Sequence, residues 1–164
     1  MKGDDLSHAL KARFDAIQTG EFRGQSRVII AKDLVFSVLE FLKDDGFDLL
    51  VDITCVDYLN FRDASSRFGL VYLLASTNSG TRQTVRVMLD EPDLEVDSVT
   101  SLWQGANWLE REVWDMFGIR FAGHPDLRRI LLPEEFVAHP LRKDYPLQGR
   151  GERHNFPVLT REEA

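Results

Sequence analysis

The sequence contains a single cysteine, Cys55, among its 164 residues. One thiol cannot form an internal disulfide, and it cannot by itself hold an iron–sulfur cluster or a structural zinc ion. No run of about 18 apolar residues occurs, so no segment is predicted to cross a membrane. The residues from Met1 to Phe14 lack the apolar core of a secretory signal, and their early acidic residues argue against a transit peptide.

Loops that bind nucleotide phosphates are missing as well. Such loops follow a strand and open a helix, whereas Gly149-Arg150-Gly151 lies in a proline-rich tail with no strand before it. The four histidines are widely spaced, and loop histidines are more often hydrogen-bonded turn residues than metal ligands. Cys55 lies in an apolar run, where a free cysteine usually acts as a small hydrophobic residue. We therefore expect no nucleotide, flavin or metal cofactor in this chain.

Positive charge is scarce overall. The formal net charge is −7, so nucleic acid is a poor partner for this protein. The stretch from residue 120 to residue 154 is locally basic, which suits either a solvated loop region or contact with an acidic protein surface. With 43% hydrophobic residues, the composition is that of an ordinary globular domain with room for a core.

Apolar spacing predicts three helices and four strands. The helices are expected over residues 4–17, from a cap at Asp33 to a stop near Gly46, and over residues 98–117 with a bend near Gly105. The strands are expected over residues 27–31, 48–59, 67–76 and 81–89, and Gly20 and Gly24 are expected to bracket a turn. Asn78-Ser79-Gly80 is typical of a hairpin turn. Consecutive hairpins predict a largely antiparallel sheet rather than a series of parallel strands.

The predicted fold class is α+β, a two-layer structure in which helices pack on a largely antiparallel mixed sheet. Residues 1–122 are expected to form the compact domain. Five of the six prolines lie between Pro125 and Pro157, with few periodic apolar residues around them. That composition predicts an irregular C-terminal arm over residues 123–164, draped over another surface.

The third helix carries the charged residues of greatest interest. A helical wheel places Glu110 and Glu112 at the margins of the apolar stripe, where buried carboxylates need cationic partners, and the arginines of the arm are the obvious ones. Arg111 and Asp115 are four residues apart and are expected to pair on the polar face. Paired acids also suit acid–base catalysis, although ion pairs are the favoured interpretation. Trp108, on the polar face, is either an interface anchor or covered by the arm.

The segment from Glu110 to Ile119 (E-R-E-V-W-D-M-F-G-I) continues through F-A-G-H-P-D-L-R-R-I-L-L-P-E-E-F to H-P-L-R-K-D-Y-P-L at residues 139–147. In order and spacing these motifs closely resemble the family of the C-type subunit of bacterial NADH–quinone oxidoreductase, counterpart of the thirty-kilodalton (30 kDa) subunit of mitochondrial complex I. The upstream V-D-I-T-C-V-D-Y is similar to the family pattern too, so the resemblance covers most of the chain.

The resemblance implies a non-catalytic subunit in the peripheral arm of a proton-translocating complex that passes electrons from NADH to quinone. It implies a place on the cytoplasmic side of the bacterial membrane, reached only through the complex. The expected partners are the 49 kDa quinone-site subunit (the D-type subunit) and the neighbouring iron–sulfur subunits B and I. The family binds no redox centre in this subunit, so FMN and the iron–sulfur clusters are expected in the partner subunits, with NADH and quinone as substrates of the whole complex.

The residues of the family signature are expected at subunit interfaces. They are Trp108, Glu110, Arg111, Glu112, Asp115, His124, Arg128, Arg129, His139, Arg142, Lys143 and Tyr145. Two alternatives stay open: a homologous subunit of a membrane-bound hydrogenase or photosynthetic quinone oxidoreductase, and a stand-alone acid–base enzyme using Glu112 and His139. The short tail after Leu147 leaves the electron donor of the complex undecided.

Overall fold

The computed structural model describes residues 3–14 and 17–152. Asp15 and Ala16 of the helix predicted over residues 4–17, and the predicted arm from residue 153 onwards, lie outside the described residues. Within these bounds the elements are α1 (Gly3–Arg13), β1 (Gln18–Phe22), β2 (Gln25–Ile30), α2 (Val35–Asp44), β3 (Leu49–Asp57), β4 (Phe68–Ala75), β5 (Arg82–Leu89), β6 (Glu95–Asp97), α3 (Ala106–Phe117) and β7 (Arg120–Ala122).

Five strands form one sheet in the order β1-β2-β5-β4-β3. The β2–β5 pair is parallel, and the other three pairs are antiparallel. β4 and β5 are joined by the predicted turn, in which the Ser76 N–H donates to the Thr81 carbonyl at 2.9 Å and Gly80 has a φ of +70°. The predicted largely antiparallel mixed sheet is confirmed. β6 and β7 form a separate parallel pair.

The core lies on one face of the five-stranded sheet. Val28, Val85 and Tyr72 sit side by side across β2, β5 and β4 and are fully buried. The same cluster contains Leu6 and Leu10 of α1, together with the apolar faces of α2 and α3. Strand residues alternate between two faces, so every second side chain enters this core. The two-layer α+β class is therefore confirmed.

Two predicted boundaries near the N-terminus are wrong. Gly20 lies inside β1, and the turn is made instead by Arg23 and Gly24, both with positive φ. β1 was not predicted because its residues are mostly exposed and show no apolar alternation, so only pairing with β2 defines it. Asp33 lies in a short 3-10 turn (Lys32–Leu34), and α2 follows Leu34 with no side-chain cap.

The predicted helix over residues 98–117 is wrong in its first half, because α3 begins only at Ala106. The preceding segment forms tight turns, with the N–H groups of Leu102 and Trp103 both donating to the Val99 carbonyl. Val99 and Trp103 are buried at a spacing of four residues, as in a helix. A turn that buries the same positions gives the same periodicity, which explains the error.

α3 ends at Gly118, which adopts a left-handed conformation with a φ of +81°. The imidazole of His139, from the arm, lies against this glycine: a Cβ built at Gly118 would come within 2.7 Å of the ring. The His139 ring also packs edge-on against Trp114, with the ring centroids 6.5 Å apart. Gly118 thus ends α3 and also leaves room for His139 of the arm to pack against the end of the helix.

Replacing Gly118 with alanine should destabilise the protein by about 3 kcal/mol, because positive φ and contact with His139 both oppose a Cβ. Gly24→Ala is the matched control, since Gly24 has a φ of +77° with nothing within 4 Å of the added Cβ. The control should cost only about 1 kcal/mol, the backbone part alone. The measurement is urea unfolding of each purified variant. Equal losses in the two variants would contradict the packing of His139 on Gly118.

Candidate functional site

Asp115 binds the backbone of the arm. Its Oδ2 accepts hydrogen bonds from the N–H groups of Ile130, Leu131 and Leu132 at 3.1, 2.8 and 3.0 Å. Oδ1 pairs with the guanidinium of Arg129, which is itself mostly buried. Burial opposes ionisation of this carboxyl, but the hydrogen bonds from the arm outweigh that effect and lower the pKa of Asp115. One carboxylate thus satisfies three consecutive backbone donors.

Arg111 complements Asp115 one helical turn earlier. Its Nε and Nη2 donate to the carbonyl oxygens of Arg128 and Arg129 at 3.1 and 3.0 Å. Its guanidinium lies over the ring of Trp108, 5.1 Å from the centroid, a distance at which cation–π attraction operates. Trp108 itself stays 60% exposed. Within the described residues the arm does not cover Trp108, which contradicts one of the two interpretations of this residue.

Glu110 faces the core rather than the arm. Its carboxyl is fully buried and accepts hydrogen bonds from the Ser98 hydroxyl and the Val99 N–H, each at 2.7 Å. Burial raises the pKa of Glu110 to about 7, although these two donors pull in the opposite direction. Its Oε2 lies 4.0 Å from Nε2 of His124. The carboxylate fastens the turn before α3 to the helix.

His124 fixes the start of the arm. Its Nδ1 accepts a hydrogen bond from the Asp126 N–H at 3.0 Å, so the ring hydrogen lies on Nε2, which donates to the Asn107 carbonyl at 3.2 Å. The neighbouring Arg128 side chain is exposed and pairs only with Asp126 among the described residues. His124 thus acts as a hydrogen-bonded turn residue, as expected for a loop histidine.

A second cluster holds the later part of the arm at the end of β3. The buried Asp57 carboxylate accepts a hydrogen bond from the Lys143 N–H at 2.8 Å. Arg67 links Asp57 to Asp144, with nitrogen–oxygen distances of 3.5 and 2.8 Å. Arg142 pairs with Glu91, which Arg67 also contacts. The side chain of Lys143 remains exposed.

The last described part of the arm folds back on itself. The Tyr145 hydroxyl donates to Glu152 at 2.8 Å, and its ring lies 5.9 Å from that of Phe136. Phe136 is one of the few buried apolar residues of the arm. Together with the Asp115 and Asp57 contacts, these interactions attach residues 124–152 to the domain at several points.

Three expectations about the third helix are wrong. Arg111 and Asp115 do not pair with each other, because each uses its polar atoms on the arm backbone. Glu112 is exposed and has no hydrogen bond or ion pair within the described residues, so it is Asp115, not Glu112, that takes an arginine of the arm. Glu110 lies in the buried seam rather than at its margin. The arm covers the face of α3 that a helical wheel assigns to solvent. The spacing of apolar residues along the helix gives no sign of this contact.

The groups considered for catalysis are separated or occupied. Burial raises the pKa of the Cys55 thiol to about 12, so it is a protonated core residue, as its apolar run indicates. Nδ1 of His139 bonds the Asp115 carbonyl at 3.0 Å, and burial lowers the pKa of this ring. No hydrogen bond joins His139 to Glu112 among the described residues. The same part of the chain contains no group of three His, Cys, Asp or Glu side chains placed to hold a metal.

Several residues of the site were not singled out by the sequence. Asp57 bonds Lys143, 86 residues later in the chain, and Ser98 bonds Glu110, 12 residues later. No local sequence pattern indicates either contact. Arg67 was expected as the first residue of the strand over residues 67–76 and instead lies just before β4, where an arginine is unremarkable. The only available signal was that Asp57 belongs to the V-D-I-T-C-V-D-Y segment. No helix in the described ranges has the length and apolar character needed to cross a membrane.

Comparison with known proteins gives a consistent result. A family model described as "Respiratory-chain NADH dehydrogenase, 30 Kd subunit" matches residues 28–151. The C-type subunit of NADH-quinone oxidoreductase from Geobacter sulfurreducens is 44% identical over 143 residues, covering 85% of this chain and 87% of that protein. NADH-quinone oxidoreductase subunit 5 of Thermus thermophilus is 46% identical over 145 residues, covering 85% and 67%.

Two solved structures share the fold. One, the trypsin-resistant fragment (1-134) of Nqo5, superposes with a TM-score of 0.69 at 37% identity, covering 77% of this chain and all of that one. The other belongs to an archaeal membrane-bound sulfane sulfur reductase and superposes with a TM-score of 0.77. It covers 98% of this chain and 95% of that one, and at 23% identity it shows the fold alone.

By fold, the protein is a small α+β protein of the Nqo5 kind. It belongs to the family of the 30 kDa subunit of respiratory-chain NADH dehydrogenase, as the motifs between residues 110 and 147 predict. The chain is thus a peripheral subunit of an NADH–quinone oxidoreductase, an enzyme complex of the respiratory chain.

Replacing Asp115 with alanine should destabilise the protein by about 3 kcal/mol, because it strands the buried Arg129 guanidinium and three backbone donors. Asp126→Ala is the matched control: it removes an arginine pair in which both side chains are largely exposed. That control should change stability by less than about 1 kcal/mol. Chemical denaturation of the purified variants measures both values. A loss for Asp115→Ala no larger than that of the control would show that the arm does not depend on this carboxylate.

Glu110 should make stability fall as the pH rises from 5 to 8. Its folded pKa of about 7 exceeds the unfolded value of 4.5, so its favourable contribution is complete below pH 4.5 and is lost as pH rises through 7. The size is about 3 kcal/mol, from roughly 1.4 kcal/mol per pKa unit. His139, whose pKa is lowered, acts in the opposite direction in this window.

The difference between wild type and Glu110→Gln isolates the effect of Glu110, because His139 is common to both. Denaturation curves at pH 5, 6, 7 and 8 give the free energy of unfolding of both proteins. With rising pH, the value for wild type should fall relative to the value for Glu110→Gln. Glu112→Gln, two residues along the same helix and exposed, should follow the wild-type pH profile. Parallel profiles for wild type and Glu110→Gln would show that the buried carboxyl does not titrate near pH 7.

Proposed function

We propose that this chain is a non-catalytic scaffold subunit that docks onto its partners through the outer surface of the arm and the exposed face of α3. The observation that carries the proposal is the distribution of polar and apolar side chains between the two sides of the arm. The arm is fastened to the domain largely by polar contacts, with Leu127, Leu132 and Phe136 turned inward, while four other large apolar side chains point outward. Leu131, Val137, Leu141 and Leu147 are all more than half exposed, as is Trp108.

Exposed apolar residues occur singly on most proteins, but several on one irregular segment are typical of a binding surface. An extended segment whose backbone is already ordered presents these side chains to a partner at little further entropic cost. Trp108, exposed and held by the Arg111 guanidinium, is the kind of rigid aromatic residue that anchors interfaces. We refer to Trp108, Leu131, Val137, Leu141 and Leu147 as the docking surface.

The family relationship supports the identity of the partners. We infer that the docking surface contacts the 49 kDa quinone-site subunit and the iron–sulfur subunits B and I, on the cytoplasmic side of the membrane. The complex would draw electrons from NADH, since the similar proteins bear the name NADH-quinone oxidoreductase. FMN, the iron–sulfur clusters and the quinone site would belong to those partners. The signature residues then serve docking indirectly, by holding the arm in place.

The double variant Leu131→Ser/Val137→Ser should lower the amount of chain in the assembled complex about tenfold or more, because apolar anchors contribute most of an interface's affinity. Leu49→Ser is the matched control, since Leu49 is an exposed apolar residue at the start of β3, outside the docking surface. Blue-native electrophoresis of membranes, probed for the chain, gives the assembled amount. Quinone reduction per assembled complex should not change in either variant.

Trypsin digestion of free and assembled chain provides a second readout. In the free chain, cleavage should begin at Lys143 and Arg150, which are exposed, and reach Arg129 last, because that side chain is buried under Asp115 and Trp114. The similar Nqo5 fragment, residues 1–134 of that protein, is itself trypsin-resistant. Assembly should protect Lys143 and Arg150. Normal assembly of the double variant, or equal digestion in both states, would contradict docking through the arm.

A further inference from the structure

The second face of the five-stranded sheet carries no helix among the described residues. The helices α1, α2 and α3 all contribute to the core on the first face. The second face, here called the open face, carries the other strand residues, including Ile29, Val71, Leu73 and Met88. It lies on the opposite side of the sheet from α3.

A groove crosses the open face. A cavity of about 650 Å³ lies between the strands and the loop after β3, with Ile29 and Met88 in its floor and Tyr58 and Phe61 in its wall. A cavity of about 220 Å³ continues it over β1 and shares Ile29 and Arg86 with it. The Tyr58 ring is held rigidly against β4, because a Cβ at Gly69 would meet it at 2.8 Å. Phe61 is 64% exposed and packs against Tyr58.

Two arginines in the floor lack an anionic partner within the described part of the chain. Arg86 stands between Val71 on β4 and Ile29 on β2, so neither directly opposed residue is acidic. Arg27 stands between Gly20 and Thr84 on the neighbouring strands. Neither guanidinium forms a hydrogen bond or an ion pair among the described residues, where Arg27 contacts only the ring of Phe22.

The acidic residues near the groove are at its ends. Asp63 lies in the loop at one end and Glu21 on β1 at the other, and both are exposed. Within the described ranges, the middle of the floor therefore carries two half-buried like charges with no counter-ion, in a protein whose net charge is −7. Arg27 and Arg86 are diagonal neighbours on β2 and β5 rather than directly opposed, and an anion between them would offset their mutual repulsion.

We propose that this groove binds an extended, acidic segment of a partner protein. A carboxylate of that segment lies between Arg27 and Arg86, where charge-assisted hydrogen bonds to the two guanidinium groups become possible. A neighbouring aliphatic or aromatic side chain fills the space over Ile29 and Met88, against Phe61. The inference adds a second interaction surface and does not depend on the docking surface proposed above.

An extended protein segment fits the groove better than the other anionic ligands. Nucleic acid would bring many phosphates toward a strongly acidic protein, whereas the floor offers only two cations. The apolar floor and aromatic wall match a side chain beside the carboxylate, as in other peptide-binding grooves.

The test is photo-cross-linking in the assembled complex. p-Benzoylphenylalanine replaces Phe61 in the full chain, membranes are irradiated, and the cross-linked peptide is sequenced by mass spectrometry. The expected product joins Phe61 to another protein, at a segment with an Asp or Glu next to an apolar residue. Arg86→Glu should reduce the cross-link roughly fivefold or more, because it replaces attraction by repulsion.

Arg82→Glu is the matched control, since Arg82 belongs to the same strand but does not line the groove, and the cross-link should persist in that variant. If charge reversal disturbs the sheet, Arg86→Gln removes the positive charge without reversing it. Circular dichroism checks that this variant is folded. A synthetic peptide of the cross-linked sequence should bind the purified chain, and less tightly at high salt. A cross-link to a second copy, to residues 153–164 of the same chain or to lipid would overturn the proposal. So would no cross-link, or one insensitive to Arg86.

Discussion

The backbone of the arm has no strand beside it in the described part of the chain, and side chains of α3 take the place of that strand. Every buried N–H and C=O needs a partner, and an irregular segment crossing a helix normally cannot find one. Asp115 accepts from three consecutive N–H groups, and Arg111 donates to the two carbonyl oxygens just before them. Arg111 and Asp115 of the E-R-E-V-W-D motif are therefore required by the arm, whereas Glu110 of the same motif serves the core.

Glu110 and Asp115 show how far environment controls two carboxyls on one helix. Glu110 faces the core, where burial dominates and only neutral donors reach it, so its pKa rises to about 7. Asp115 faces the arm, where a guanidinium and three amides hold the charged form and lower its pKa. Neither side chain is accessible to water. Asp115 has more donors, one of them charged, and lies less deeply in the protein than Glu110, and both differences favour its ionised form.

Much of the fold could be predicted from the sequence, and the failures share one physical cause. β4, β5 and the turn between them follow from local alternation, and the fold class follows from the hairpins. β1, β6 and β7 have little local signal, since pairing with distant residues defines them. The motifs between Glu110 and Leu147 identified the family, but not which atoms of Glu110, Arg111 and Asp115 meet which partner. Those partners come from turns and from the arm, and helical periodicity contains no information about either.

The way in which the arm is attached also determines what a partner can gain from it. Individual hydrogen bonds contribute little net stability because water offers the same bonds to the unfolded chain, so the arm relies on several polar contacts acting together. Leu127, Leu132 and Phe136 pack inward, but the four exposed apolar side chains of the arm contribute little to the stability of the free chain, since they stay in water. Burying them against a partner adds their hydrophobic free energy at a point where the backbone is already ordered. A polar attachment inside and an apolar surface outside therefore separate the folding of the arm from its docking, and each can be changed by mutation without altering the other.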